Sequence, residues 1–222
     1  LVLQGSKELP EFQGSHHDVF VFGRGEPDVT QSRMERGIFP WWTTPNGRLA
    51  FWRPLASLTH WLDFQLFPEF PGLMHLHNLL WYAGVALAAT ALFRRFMTPA
   101  WVAGLAALLY VADDAHSFAV GWLSNRNSVM ATVFGIMALI LHDRWRKDGW
   151  RLGLVLAPLS LAIGLCCAEA AMAVGGYLAA YALFLDKGSW RVRVLSLVPY
   201  GLLVFPWLMV YKRLGFGTIG SG

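Results

Sequence analysis

Asp113, Asp114, His116, Asn125 and Arg126 lie close together between two long apolar runs. Carboxylates and imidazoles facing one cavity can act as general bases or as metal ligands. An arginine facing the same cavity can hold a phosphate through two parallel hydrogen bonds. Charge is costly within an apolar segment of bilayer length, so such a cluster belongs at a membrane surface or in a wet cavity. Three other groups share this character: His16-His17-Asp18, the trio His75, His77 and Asn78 at the head of an apolar run, and Glu169, the lone acid beside Cys166-Cys167. Each also has a plain reading. The first is a solvated loop, Asp113 and Asp114 form a hydrated turn or cap the next helix, His75 and His77 pack or sit at an interface, and Arg126 pairs with Asp113 or Asp114 to neutralise buried charge. Glu169 is the hardest to dismiss, because a lone acid within a span is a functional candidate by default.

The elements that must position these groups are apolar helices. Hydrophobic residues make up 55% of the chain and charged residues 14%, with 11 Trp among 222 residues. Mean hydropathy is +0.43. A soluble domain usually carries about 25% charged residues. The net charge is +4, but the basic residues are dealt out between apolar runs rather than gathered in one patch. That pattern fits a membrane and argues against nucleic acid as a partner. The two adjacent cysteines offer neither a metal-ligand spacing nor a pairing geometry and read as packing residues.

Six spans are expected, at about 73–93, 98–112, 120–142, 151–166, 169–186 and 194–211. The second and fourth are short, and the fourth and fifth can be read as one run broken near Glu169. The fold class expected is therefore all-α and polytopic, with residues 1–72 as a large extracytoplasmic loop, 73–211 as the transmembrane domain and 212–222 as the start of a further outside segment. Leu1–Leu3 read as the end of an earlier span or a terminal scar, so the sequence is expected to be a piece of a longer chain. It shows neither a signal-peptide pattern nor an internal repeat.

Within the first segment, Leu55, Leu58, Trp61, Leu62 and Leu66 recur at helical steps after Arg53-Pro54. This predicts an amphipathic helix that either lies in the interface or packs on the outer ends of the spans. With residues 1–72 outside, the inside loops hold Arg94, Arg95, Arg144, Arg146, Lys147, Arg151, Lys187, Arg191 and Arg193, against only Asp143, Asp148 and Asp186. The short outside turns hold Arg126 alone, so the positive-inside rule supports this orientation. All four polar groups then fall on the outer side.

The stretch 110–126, Y-V-A-D-D-A-H-S-F-A-V-G-W-L-S-N-R, resembles without gaps a segment of class C membrane glycosyltransferases written roughly F-A-x-H-P-x-H-x-E-A-V-x-W-I-S-G-R. The subfamily is the O-mannosyltransferase-like proteins that often carry tetratricopeptide repeats. His116, Trp122, Ser124 and Arg126 fall on the family's second His, Trp, Ser and Arg. W-R-P-L at 52–55, H-L-H-N-L-L-W-Y at 75–82 and C-C-A-E-A-A at 166–171 resemble further blocks in the same order, the last putting Glu169 on the family's acid. Asp113-Asp114 stand where the family has His-Pro, Phe118 where it has an acid, Asn125 where it has Gly and Ala168 where it has Lys.

The resemblance implies transfer of a sugar from a polyprenyl-phosphate carrier to an acceptor, protein or glycan, at the outer face of a bacterial inner membrane. It nominates Asp18, in the first outside loop, as the base that deprotonates the acceptor. Asp113, Asp114, His116 and Glu169 would complete the catalytic cavity, with or without a divalent metal. Arg126 would hold the carrier phosphate, and Arg53, His17, Trp122, Asn125, His75 and Asn78 would contact substrate. Two other classes use the same polar cluster: a transporter or flippase for a lipid-linked or polar solute, and a non-catalytic membrane scaffold descended from such enzymes.

Overall fold

The computed structural model describes residues 21–22, 27–36 and 48–219. The chain divides into two units, Leu1–Trp52 with Pro206–Gly222, and Arg53–Phe205. This differs from the division expected at residue 72, because the amphipathic helix belongs with the helices that follow it.

The first unit holds a small antiparallel sheet of β1 (Val21–Phe22), β2 (Arg48–Ala50) and β3 (Gly217–Ile219), in that order. Val21 lies opposite Ala50, and Leu49 opposite Thr218. Strands this short carry no readable two-residue period, which is why the sequence pattern did not announce them. Helix α1 (Pro27–Glu35) opens on proline with Asp28 in its first turn, both favourable at a helix N-terminus.

The second unit is helical. It runs through α2 (Pro54–Leu66), α3 (Pro71–Phe96), α4 (Ala100–Ala112), α5 (Ser117–Gly121), α6 (Arg126–Asp148), α7 (Gly153–Cys167), α8 (Val174–Ala180) and α9 (Trp190–Leu195). Helix α10 (Val198–Arg213) continues past the division. Prolines at the first position start α2 and α3. Gly149, at φ 71°, ends α6, and the next N–H, from Trp150, turns back 3.2 Å to the Arg144 carbonyl.

Helix occupies most of every expected span region, but among the described residues two helices are long and apolar enough to cross a membrane: Pro71–Phe96 and the nearly continuous Trp190–Arg213. Ala100–Ala112 and Gly153–Cys167 are shorter. The run expected at 169–186 is a 3-10 turn (Glu169–Ala173), then α8, then a π-helical turn (Tyr181–Leu185). Helix α6 is long, but it is polar at both ends.

Helix α6 is the axis of this unit, flanked by α3 and α7. Small residues line the crossings: Ala88, Ala103, Ala138, Ala157 and Gly164 are buried. A Cβ on Gly135 would come within 2.9 Å of Val174, and one on Gly153 within 2.5 Å of the Leu141 carbonyl. Backbones this close exclude larger side chains. Leu161, Leu165 and Leu178 fill the remaining core, while many other large apolar side chains point outward, among them Leu87, Trp101, Phe184 and Leu202.

Each end of α6 carries a layer of buried charge. At the C-terminal end, Arg95 Nε donates to Asp143, whose other oxygen accepts from Tyr181 at 2.9 Å. Arg95 also reaches Asp148, and Arg146 pairs with Asp186 at 2.7 Å. His142 Nδ1 meets Tyr200 Oη at 2.9 Å. At the N-terminal end stands Arg126, about 26 Å from Asp143 at 1.5 Å of rise per residue.

Candidate functional site

Arg126 opens α6 with its guanidinium at the positive end of that helix's dipole, an unfavourable place for a cation. Asp63 of α2 answers it, with Oδ2 2.6 Å from Nη1. The Arg126 and Asp63 side chains are 0% and 3% exposed, so the charges are almost wholly out of water. Arg126 Nη2 donates to the Met74 carbonyl at 3.0 Å, while Nε finds no partner among the described residues. The second Asp63 oxygen lies 2.6 Å from His77 Nδ1, at the start of α3. Trp81, one turn on, donates its indole N–H to His77 Nε2 at 3.1 Å. An indole nitrogen only donates, so Nε2 is the acceptor and the imidazole proton sits on Nδ1, facing Asp63.

A second group lies at the same end. Arg53, just before α2, donates from Nε to Glu169 at 3.0 Å. With the Asn127 amide oriented so that donors meet acceptors, its oxygen accepts from Arg53 Nη1 at 2.8 Å and its nitrogen donates to the Ser124 carbonyl at 3.0 Å. The Arg53 and Glu169 side chains keep 20% and 17% of their surface, which sets them apart from the sealed Arg126 pair. Glu169 is held by the 3-10 turn that breaks the run after α7, so the turn places a carboxylate where a continuous helix would have left it among apolar side chains. Part-buried His60 of α2 adds a titrating group. Burial pushes its imidazole down to about 4, the Arg126 charge adds to this, and Asp63 opposes it.

Of the two arrangements expected for α2, the structure departs from the one in which its apolar stripe packs on the span ends, and leaves most of the stripe exposed. Leu58, Trp61, Leu62 and Leu66 are exposed, while Asp63 is buried. Thr59 reaches the Ala56 carbonyl and Met130.

The structure joins some of the residues singled out in the sequence and separates others. Glu169, Arg53 and Arg126 share one end with Asn78, whose buried amide donates to the Val120 carbonyl at 2.5 Å. Arg126 pairs with Asp63 rather than with Asp113 or Asp114, and its full burial leaves it no surface for a phosphate. Asp113 and Asp114 are exposed, and Asp113 caps the following turn by accepting from the Ala115 N–H at 2.9 Å. His116 stands edge-on to Tyr110, 4.7 Å between ring centres, beside a cavity of about 50 Å³ also lined by Tyr82, Ser128 and Thr132. Trp122 is exposed against Phe118, His75 is exposed, and Asn125 accepts from Ser128 Oγ at 2.9 Å. His16, His17 and Asp18 lie outside the described residues. Among the described residues no three His, Cys, Asp or Glu side chains are grouped to hold a metal. Asp63 and His60 are the members that sequence reasoning missed. The available signal was an acid on the polar face of a helix carrying Trp61 and Leu62 on the other.

Two expectations follow. Arg126→Ala leaves Asp63 buried without its cation and should cost about 3–5 kcal/mol, read as a lowered melting temperature. Asp113→Asn and Asp114→Asn, at exposed positions, should stay within about 0.5 kcal/mol, and an unchanged Arg126→Ala melt would contradict the assignment. An unfolded histidine takes its proton near 6.5 and His60 only near 4. Between those values the unfolded state binds more protons, so stability falls as pH drops through the window. In His60→Gln the melting temperature should decline less from neutral to acid pH, and identical slopes would sink the reading.

Comparison with protein-family models, with characterised proteins and with solved structures finds no match to this chain, so its function must be read from its own geometry.

Proposed function

We propose that the chain is a multi-pass membrane protein of the class C glycosyltransferase type. The polar end of its helical unit would bind a polyprenyl-phosphate sugar at the extracytoplasmic face. The observation that carries this reading is the convergence of the partly open Arg53 and Glu169 with buried Asn127, beside the sealed Asp63–Arg126 pair at one end of an apolar bundle. These side chains come from separate segments of a chain that otherwise buries small apolar residues. A cation and a carboxylate kept beside an apolar surface suit a ligand with a charged head and an apolar tail.

On this reading Arg53, rather than Arg126, meets the carrier phosphate, because it is the arginine with surface. Transfer forms a bond from the acceptor oxygen to the anomeric carbon as the bond to the phosphate oxygen breaks. The electron pair leaves with the phosphate, where a fixed guanidinium stabilises the growing charge. The acceptor proton goes to a carboxylate, for which the family resemblance nominates Asp18. A transporter would have to open at both ends. The opposite end is held by Arg95–Asp143 and Arg146–Asp186, which favours the transferase.

Full-length protein in lipid vesicles should bind a polyprenyl-phosphate sugar. Arg53→Ala should weaken that binding by about tenfold or more, the loss of a charge-assisted contact. Asp18→Asn should bind donor normally and transfer nothing. Absence of donor binding by the native protein would overturn the reading.

A further inference from the structure

The end of the helical unit opposite the polar site brings together the turns α3–α4 and α6–α7 and the stretch between α8 and α9. Arg95–Asp143, Tyr181–Asp143 and Arg146–Asp186 tie these three segments to one another. Those pairs, with Arg95–Asp148, use every carboxylate present there among the described residues. Arg193 is occupied too, donating to the Gly188 carbonyl at 2.7 Å and the Leu183 carbonyl at 3.2 Å. Six exposed cations remain with no carboxylate among the described residues to answer them: Arg94, Arg144, Lys147, Arg151, Lys187 and Arg191.

Aromatic side chains are interleaved with them. The turn closed by Gly149 folds Trp150 back so that the Arg144 guanidinium lies 4.7 Å over its ring. Trp190, beside Arg191, and Trp101, at the start of α4, are strongly exposed. Tryptophan among lysines and arginines, next to outward-facing leucines, is the composition of a bilayer headgroup layer.

We propose that this face is an anionic-phospholipid site, in which the α6–α7 turn (Arg144, Lys147 and Arg151 around Trp150) grips a lipid phosphate from the side of the bundle away from the polar site. The occupant is a lipid headgroup rather than a soluble anion, because the cations border apolar side chains that only acyl chains would cover. The inference rests on the membrane part of the reading above and not on the transferase chemistry.

The test reconstitutes the full chain in vesicles of equal parts phosphatidylglycerol and phosphatidylcholine, then extracts it and counts retained lipids by native mass spectrometry. The protein should retain phosphatidylglycerol about tenfold over phosphatidylcholine. The triple variant Arg144→Gln, Lys147→Gln, Arg151→Gln should fall toward parity, since surface cations worth up to a factor of about five each more than account for a tenfold preference. The pair Lys187→Gln, Arg191→Gln, on a different turn, should show a smaller loss and guards against a folding defect in the triple variant. Equal retention of the two lipids by the native protein overturns the proposal. Failure to enter vesicles of either lipid overturns it together with the membrane reading, whereas loss of sugar transfer alone leaves it standing.

Discussion

Helix α6 dictates the rest of the helical unit because it is polar at both ends and apolar between them. Its guanidinium at Arg126 and its carboxylate at Asp143 are both buried, and an unpaired buried charge costs several kcal/mol. Each therefore has to be met by an opposite charge from another helix. Asp63 fixes α2 against one end, and Arg95 fixes the C-terminal turn of α3 against the other. Between them the helices meet through alanine, glycine and a few buried aliphatic side chains, which contribute close contact but little directional information. The ion pairs set the register of the bundle, and the small residues let it close.

The spacing of the two layers carries a second consequence. About 26 Å of α6 separates Arg126 from Asp143, close to the roughly 30 Å of a bilayer's hydrocarbon core. Leu87, Phe184 and Leu202 are outward-facing and exposed. The two functional proposals use opposite ends of this arrangement. One end keeps a partly open Arg53–Glu169 contact above a sealed pair, and the other has spent its carboxylates and presents bare cations.

Much of the helical architecture was legible in the sequence, since apolar runs report where helices lie. The breaks were harder to read. Residues 169–186 form one hydrophobic run by composition, yet they fold as 3-10, α and π turns around Glu169. The site was legible by side rather than by contact. Arg126, Arg53 and Glu169 were placed on one side, but which acid answers Arg126 depends on how α2 is rotated. Asp63 lies off the apolar stripe of Leu55, Leu58, Leu62 and Leu66. The structure turns Asp63 inward, because only the bundle end offers a cation and an imidazole to bond it. Asp113 and Asp114 drew attention by charge, and the local backbone of the turn accounts for the Asp113 carboxylate.

The central claim of the membrane reading proposed above is that the outward surface of the helices packed around α6, between the two charged layers, faces hydrocarbon. The most direct measurement places a nitroxide on Leu87→Cys, an outward position in α3, in protein reconstituted in a bilayer, and compares its relaxation by oxygen and by a water-soluble nickel chelate. The account predicts strong relaxation by oxygen and little by the chelate, with the order reversed for a label at exposed Lys147. Free access of the chelate to position 87 would mean that this surface faces water and would contradict the account.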